Sequence, residues 1–225
     1  MIIAIDGPAG AGKSSVSKKV ASALGLNFLD SGALYRALAY FLDKNGVPPV
    51  LGDELNEELI NVEVKLSDGK VIVNGDDVSI EIRTPHVDNI VSLYSALPQV
   101  RARLLGLQRD QPSFGKGIVA EGRDMGSVVF PNADVKIFLT ASAEERAMRR
   151  FKERLAKGET PVYEKILLGV KERDTIDSTR EVSPLLIADG AHEIDTSDMT
   201  EQQVVEKIIS IAKEKTGHSD SGGTI

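Results

Sequence analysis

The chain contains no cysteine in its 225 residues, so disulfides, thiolate zinc sites and cysteine nucleophiles are excluded. No apolar run approaches the roughly 20 residues that a membrane-spanning helix needs. Met1 leads directly into an apolar strand without a charged segment and a cleavable apolar stretch, so a cytoplasmic protein with no membrane partner is expected. Positive charge is scarce too. The net charge is −7, whereas a general nucleic-acid surface requires a basic field to offset phosphates. Aromatic residues make up only 4%, which leaves few stacking platforms for single strands. Any anionic partner is therefore expected to be small and locally held. What remains, 41% hydrophobic and 27% charged residues, is the composition of a globular chain. Its length allows one domain with an insertion, or two small domains.

Against this background one stretch stands out: Gly7-Pro8-Ala9-Gly10-Ala11-Gly12-Lys13-Ser14, directly after the apolar run Ile2-Ile3-Ala4-Ile5. It fits G-x-x-x-x-G-K-[ST] at every fixed position, between a short buried strand and an amphipathic helix. Glycines let several backbone N–H groups converge on one polyphosphate, and the following helix N-terminus favours an anion. Lys13 can reach the outer phosphates and the Ser14 hydroxyl can ligate Mg²⁺, so the expected ligand is a magnesium nucleoside triphosphate. Val16, Val20, Ala23 and Leu24 recur at helical spacing, and Gly25 ends the helix.

Asn27-Phe28-Leu29 reads as a second strand, delivering Asp30-Ser31-Gly32 to a helix with Leu34, Tyr35, Leu38, Phe41 and Leu42. Asp30 or Ser31 can serve simply as its N-cap. Arg36 lies near the start of that helix, where the dipole disfavours a cation, which suggests an anion nearby. Asp53 to Glu58 reads as a short solvated helix. The pattern then shifts to period two over 62–66 and 70–73, with turns at Ser67-Asp68-Gly69 and Asn74-Gly75, so 62–83 is read as a small antiparallel insertion. Helices are expected over about 85–95 and 98–112. Arg101 and Arg103 point to different faces of the second, so only one is expected to serve a site; both can equally be solvated.

Gly117 to Ala120 is a third strand, followed by Glu121-Gly122-Arg123-Asp124-Met125-Gly126, and Val135 to Leu139 a fourth. A helix from Ala143 carries Arg146, Arg149, Arg150 and Arg154; the break at Gly158 to Pro161 makes it half of a helix-loop-helix suited to a lid. Another helix runs from Tyr163 to about Arg180, a short strand occupies 191–194 with a structural His192, and a closing helix lies near 200–215. Arg173, Asp177 and Arg180 share one helix face, either as a surface ion-pair ladder or as a phosphate and ribose grip. The alternation predicts a layered α/β fold with a mostly parallel sheet, whose ligand crevice lies beyond the carboxyl ends of the strands.

With Asp30-Ser31-Gly32-Ala33-Leu34-Tyr35-Arg36, Glu121-Gly122-Arg123-Asp124-Met125-Gly126 and Arg173-Asp174-x-x-Asp177-x-x-Arg180 behind the P-loop, the sequence resembles the bacterial cytidylate kinases from Met1 to about Lys215. The resemblance implies a three-layer P-loop kinase fold with a five-stranded, mostly parallel sheet. Residues 1–61 and 84–216 would form the core, with a helical lid at about 150–163; 62–83 would be an insertion near the acceptor nucleotide, and 217–225 a disordered tail. It implies transfer of the γ-phosphoryl of ATP to CMP or dCMP; a monomer is expected, because an acidic, single-ligand enzyme of this size needs no partner to form its site. The loop Gly7, Pro8, Ala9, Gly10, Ala11 and Gly12, with Lys13, Ser14 and Ser15, would hold ATP, and Ser14 the Mg²⁺. Arg36, Arg123 and Arg180 would grip the acceptor phosphate. Ser92, Arg101 and Asp124 would read cytosine, and Ser31, Arg173 and Asp177 would contact the sugar. Lys13, Arg123 and Arg180 would carry the transfer. A switch or motor ATPase would use the same loop, but there is no Asn-Lys-x-Asp guanine-reading motif and the arginine face would have no purpose. The nearer alternative is a kinase for another small acceptor.

Overall fold

The computed structural model describes residues 1–67, 69–111, 117–215 and 217. Asp68, part of an expected turn, and all of the expected tail but Gly217 lie outside them, as does the end of the helix expected to reach 112. Five parallel strands form the main sheet in the order β2 (Asn27–Asp30), β6 (Ile118–Gly122), β1 (Ile2–Asp6), β7 (Val135–Thr140), β8 (His192–Asp195). The central β1 is buried on both sides, which explains its unbroken apolar run. Ile3 and Ile5 face a core built with Val16, Val20 and Ala21 of α1 (Lys13–Leu24) and Val204, Val205 and Ile208 of α8 (Glu201–Lys215). Ala4 faces the opposite core, where α2 (Ser31–Lys44), α4 (Pro85–Ser95) and α5 (Pro98–Asp110) bury Leu34, Leu38, Leu42, Tyr94 and Leu104. Helices thus cover both faces, and the fold is the three-layer α/β arrangement that the alternation predicts.

A second, antiparallel sheet joins β3 (Val64–Ser67), β4 (Lys70–Val73) and β5 (Asp76–Asp77). Asn74 and Gly75, both at positive φ, make the β4–β5 turn, and Val64, Val71 and Val73 pack into the same core as α2. α3 (Asp53–Asn61) is longer and less solvated than expected. Leu55 and Leu59, one helical turn apart, are buried, and the intervening acidic side chains face water. On the other side of the cleft α6 (Ala143–Ala156) and α7 (Tyr163–Thr179) form a hairpin with a small core of its own, Ala147, Ile166 and Val170. No helix among the described residues is long and apolar enough to cross a membrane.

Two boundaries differ from expectation in ways that matter for the site. β6 continues through Glu121 and Gly122, so Glu121 belongs to the buried sheet and not to the loop beyond it. The segment Met125–Val129 then winds into a single π-type turn, whose leading amides of Met125 and Gly126 donate to the two carboxylate oxygens of Asp6 at 2.8 and 2.7 Å. That clamp joins the ends of β1 and β6.

Gly7, which follows β1, has φ +148°, and a Cβ there would lie 2.0 Å from the Leu139 carbonyl oxygen of β7. Backbone on both sides leaves no side chain to move aside. Gly7→Ala is expected to lower the unfolding free energy by about 3 kcal/mol, from strain and sheet displacement together; urea titration followed by circular dichroism checks this, and a loss below about 1 kcal/mol would show that the loop adapts.

Candidate active site

The carboxyl ends of β1, β2 and β6 open into a cavity of about 610 Å³, bounded by the loop before α1, the start of α2, the segment after β6, and α7. On one side the loop turns through Gly7, Gly10 and Gly12, all at positive φ, and α1 begins without any side-chain cap. Its first N–H groups are thus left for an anion. Gly10, Ala11, Gly12, Ser14 and Ser15 line the cavity with Ala9, while Gly7 and Pro8 lie beneath it. Lys13 is buried, and its ammonium turns back to donate to the carbonyls of Gly7 and Pro8, both at 2.8 Å. Burial, reinforced by the Arg123 charge, pulls its pKa down to about 7. Beneath it, burial pushes Asp6 up to about 6 despite its two amide donors.

The Ser14 hydroxyl donates to Glu121, whose pKa is raised by burial and by nearby Asp30. A hydroxyl beside one carboxylate at the edge of a phosphate-sized loop suits a hard divalent cation that takes its remaining ligands from water and a nucleotide. The described residues contain no cluster of three or more carboxylate or imidazole groups that would cage a metal alone. Ser14 and Glu121 fit the expected Mg²⁺ only in company with a bound polyphosphate.

Across the cavity lies a group of arginines. Arg123, from the end of β6, donates to Asp177 on α7 at 2.7 Å. Burial works against the Asp177 carboxylate, but Arg123 and Arg173 outweigh it and hold its pKa down. Arg180, just past α7, donates to the Ser183 carbonyl at 2.7 Å and approaches Asp124 at 4.0 Å and Asp177 at 3.9 Å. Arg101 donates to Asp124 and to the Ser95 carbonyl, and its guanidinium stands 5.0 Å from the Tyr35 ring centre. The Nε of Arg101, the Nε of Arg173 and one terminal nitrogen of Arg180 are buried with no partner. Such donors cost free energy unless an acceptor arrives. Burial, then the charges of Arg123 and Arg36, pull Arg173 down to about 9, so the cluster is short of negative charge.

Of the residues expected from the sequence, Ser31, Arg36, Arg101, Arg123, Asp124, Arg173, Asp177 and Arg180 all line this one cavity. Arg103 lies elsewhere, donating to the Leu59 and Val62 carbonyls, as the spacing argument requires of one of the pair. Ser92 is buried but lines an adjoining cavity that shares Asp88, Arg150, Glu153 and Arg173 with the first; from α4 it is Asp88, Val91 and Ser95 that reach the main one. Asp30, and not Ser31, caps α2, accepting from the Ala33 amide at 2.9 Å. Asp6, Glu121 and Asp88 were not singled out by sequence reasoning. Glu121 stood in a quoted motif without a role, and Asp6 carried a signal, being a charge that ends a buried strand. Arg146 is pinned by Asp174 at 2.9 and 2.5 Å and by the Ala9 carbonyl at 3.1 Å, so it braces the loop from the α6–α7 hairpin.

A family model described as cytidylate kinase matches residues 3–214. The chain is similar to a cytidylate kinase of Mycobacterium avium, 46% identical over 220 residues, covering 96% of each chain. It is also similar to one of Mycobacterium leprae, 44% identical over 217 residues, covering 96% of this chain and 97% of the other. Among solved structures, a gluconokinase from Sinorhizobium meliloti superposes with a TM-score of 0.50 at 16% identity, covering 99% of this chain and 97% of the other, a likeness of fold alone.

Removing the carboxylate that Arg123, Arg173 and Arg180 share should leave buried cations uncompensated. Asp177→Asn is expected to lower the unfolding free energy of the ligand-free protein by about 3 kcal/mol, read from urea denaturation. An unchanged midpoint would mean that water or a rearranged side chain already neutralises the cluster.

Proposed function

Because the chain belongs to the cytidylate kinase family, we propose that it transfers the γ-phosphoryl of Mg-ATP to CMP or dCMP, giving ADP and CDP or dCDP. The observation that carries the reading is the group Arg36, Arg101, Arg123, Arg173 and Arg180, which lines one cavity together with an uncapped, glycine-rich helix start. Two anion sites of that kind suit a donor and an acceptor phosphate brought together against their repulsion.

In this reading the loop from Gly7 to Gly12, with Lys13, Ser14 and Ser15, holds the donor phosphates. Ser14 and Glu121 hold the magnesium ion, which supplies charge neutralisation when bound. Arg36, Arg123 and Arg180 grip the acceptor phosphate, and Ser31, Arg173 and Asp177 hold its sugar. Lys13, Arg123 and Arg180 stabilise the charge that spreads over the transferred group. The base is read by Ser92, Arg101 and Asp124. A carboxylate accepts from the exocyclic amine of cytosine and meets a carbonyl in uracil, so the wrong base leaves Asp124 facing an acceptor. The α6–α7 hairpin, with the segment at about 150–163 that ends α6 and leads into α7, acts as a lid that keeps water from the γ-phosphoryl. The 62–83 sheet sits beside the acceptor end. Every group assigned comes from one chain, so a cytoplasmic monomer suffices.

ADP production from Mg-ATP against CMP, dCMP, UMP, AMP, GMP and no acceptor tests the reaction. Turnover confined to the cytidine nucleotides is expected. Turnover with another nucleotide would reassign the base pocket, and hydrolysis without an acceptor would favour a switch or motor ATPase. Asp124→Ala and Arg101→Ala should impair CMP use far more than ATP binding, whereas equal loss of both would overturn the base-reading roles.

The lowered pKa of Lys13 gives a second test. A phosphate brought to the amine restores its ordinary pKa, so at pH 8 the free protein holds Lys13 mostly neutral and the complex holds it charged. Nucleotide binding should then take up about one proton at pH 8 and little at pH 6, where the amine is already charged. Calorimetry in buffers of differing ionisation enthalpy measures it, and uptake that persists in Lys13→Met would assign the proton elsewhere.

A further inference from the structure

Asp88 stands in the first turn of α4, where the helix dipole favours a carboxylate, yet its side chain reaches out to two other helices. One oxygen accepts from Arg36 of α2, at 3.3 Å from Nε and 3.0 Å from a terminal nitrogen. The other accepts from Arg150 of α6. Burial alone would favour protonation, but Arg36 and Arg150, with Arg173 behind them, hold the carboxyl below its usual range. Among the described residues, the Arg150 contact is the one hydrogen bond joining α4 to the α6–α7 hairpin.

Two guanidinium groups converging on one pair of oxygens is the arrangement in which arginines take a phosphate. Asp88 differs from Asp124 and Asp177, the carboxylates at the far end of the cluster, in its access to water. The Asp124 and Asp177 side chains are 3% exposed and cannot be released without leaving a buried charge, whereas that of Asp88 is 25% exposed. It lines both the main cavity and the adjoining one, so a turn of its side chain leads toward open space.

We propose that Asp88 is a displaceable internal anion, which occupies Arg36 and Arg150 while the acceptor site is empty and is turned out when an acceptor phosphate enters. The inference rests on the assignment of Arg36 to the acceptor phosphate. Its consequence is that Asp88 holds acceptor affinity down: part of the attraction between phosphate and arginine is spent on replacing a contact already made. By the same contact Asp88 fastens the hairpin to α4 in the empty protein, and acceptor binding releases that fastening.

The test is equilibrium titration of CMP into the full chain in the absence of ATP, for the wild type, Asp88→Asn, Asp88→Ser, Arg36→Ala and the double variant Arg36→Ala with Asp88→Ser. Both single Asp88 substitutions are expected to tighten CMP binding by about tenfold, a gain that a damaged site does not produce. In the Arg36→Ala background the Asp88 substitution should tighten it much less, because the competing pair is already gone. If Arg36→Ala weakens CMP binding while both Asp88 variants bind it no better than wild type, the displaceable role is wrong and Asp88 merely positions the arginines. If wild type fails to bind CMP, or Arg36→Ala binds it as wild type does, it is the acceptor-phosphate assignment that fails.

Discussion

Like charges crowded into one largely buried site set the terms for the rest of this molecule. Arginines a few ångströms apart repel one another by several kcal/mol at low effective dielectric. The cluster stands only because carboxylates are built in among them: Asp124 with Arg101, Asp177 with Arg123, Asp88 with Arg36 and Arg150, and Asp174 with Arg146. Compensation is deliberately incomplete in effect. Donors on Arg101, Arg173 and Arg180 remain without acceptors, and Lys13 at the opposite wall sits near the loss of its proton. A polyanion of the kind proposed as substrate would complete this electrostatic balance.

The scaffold exists to bring these charges to one place. Strand order puts β1 between β6 and β7, so the phosphate loop after β1 and the Arg123-Asp124 segment after β6 emerge side by side. Asp6 ties the two together through the Met125 and Gly126 amides. Gly122 is needed beside them, since a Cβ there would meet the Ser31 hydroxyl at 2.7 Å and the Met125 side chain at 2.8 Å. The α6–α7 hairpin is joined to the core largely by arginine: Arg146 to the phosphate loop and Arg149 to Thr196. Polar contacts of this kind let an element move more readily than a large apolar interface does.

Much of this was legible in the sequence. Apolar runs and turn residues located the strands, Asn74-Gly75 located a hairpin turn, and the spacing of Arg173, Asp177 and Arg180 put them on one face, all of which depend only on local periodicity. Periodicity put Arg101 and Arg103 on two faces without choosing between them; the resemblance named Arg101, and tertiary packing brings that residue, not Arg103, to the cavity. What could not be read were partnerships across the fold. Glu121 looked like loop because a charge rarely ends a buried strand; it is tolerated there because Ser14, Lys13 and Arg123 surround it. Leu55 and Leu59 were hidden in an acidic stretch whose charge pattern spoke louder than two apolar residues one turn apart. Asp88 gave no signal, since a carboxylate in the first turn of a helix has an ordinary explanation in the dipole. The role of Ser92 depends on how the adjoining cavity relates to the main one, which no local pattern encodes.

The pairing of β1 also bears on how such a chain comes into being on the ribosome. Ile2 pairs with Ile118 and Ile3 with Val135, so β1 finds neither neighbour until the whole stretch up to β6 has been made. Gly7 rests directly on Leu139 of β7, which appears later still. In the meantime the earliest residues form an apolar segment with two unpaired edges, the kind of species that chaperones recognise. The helices and small sheet between 31 and 110 can bury one another while β1 waits. The phosphate loop is thus among the last parts to take shape, and a chain cut short before β7 would carry every residue of it without the Leu139 backbone on which Gly7 rests.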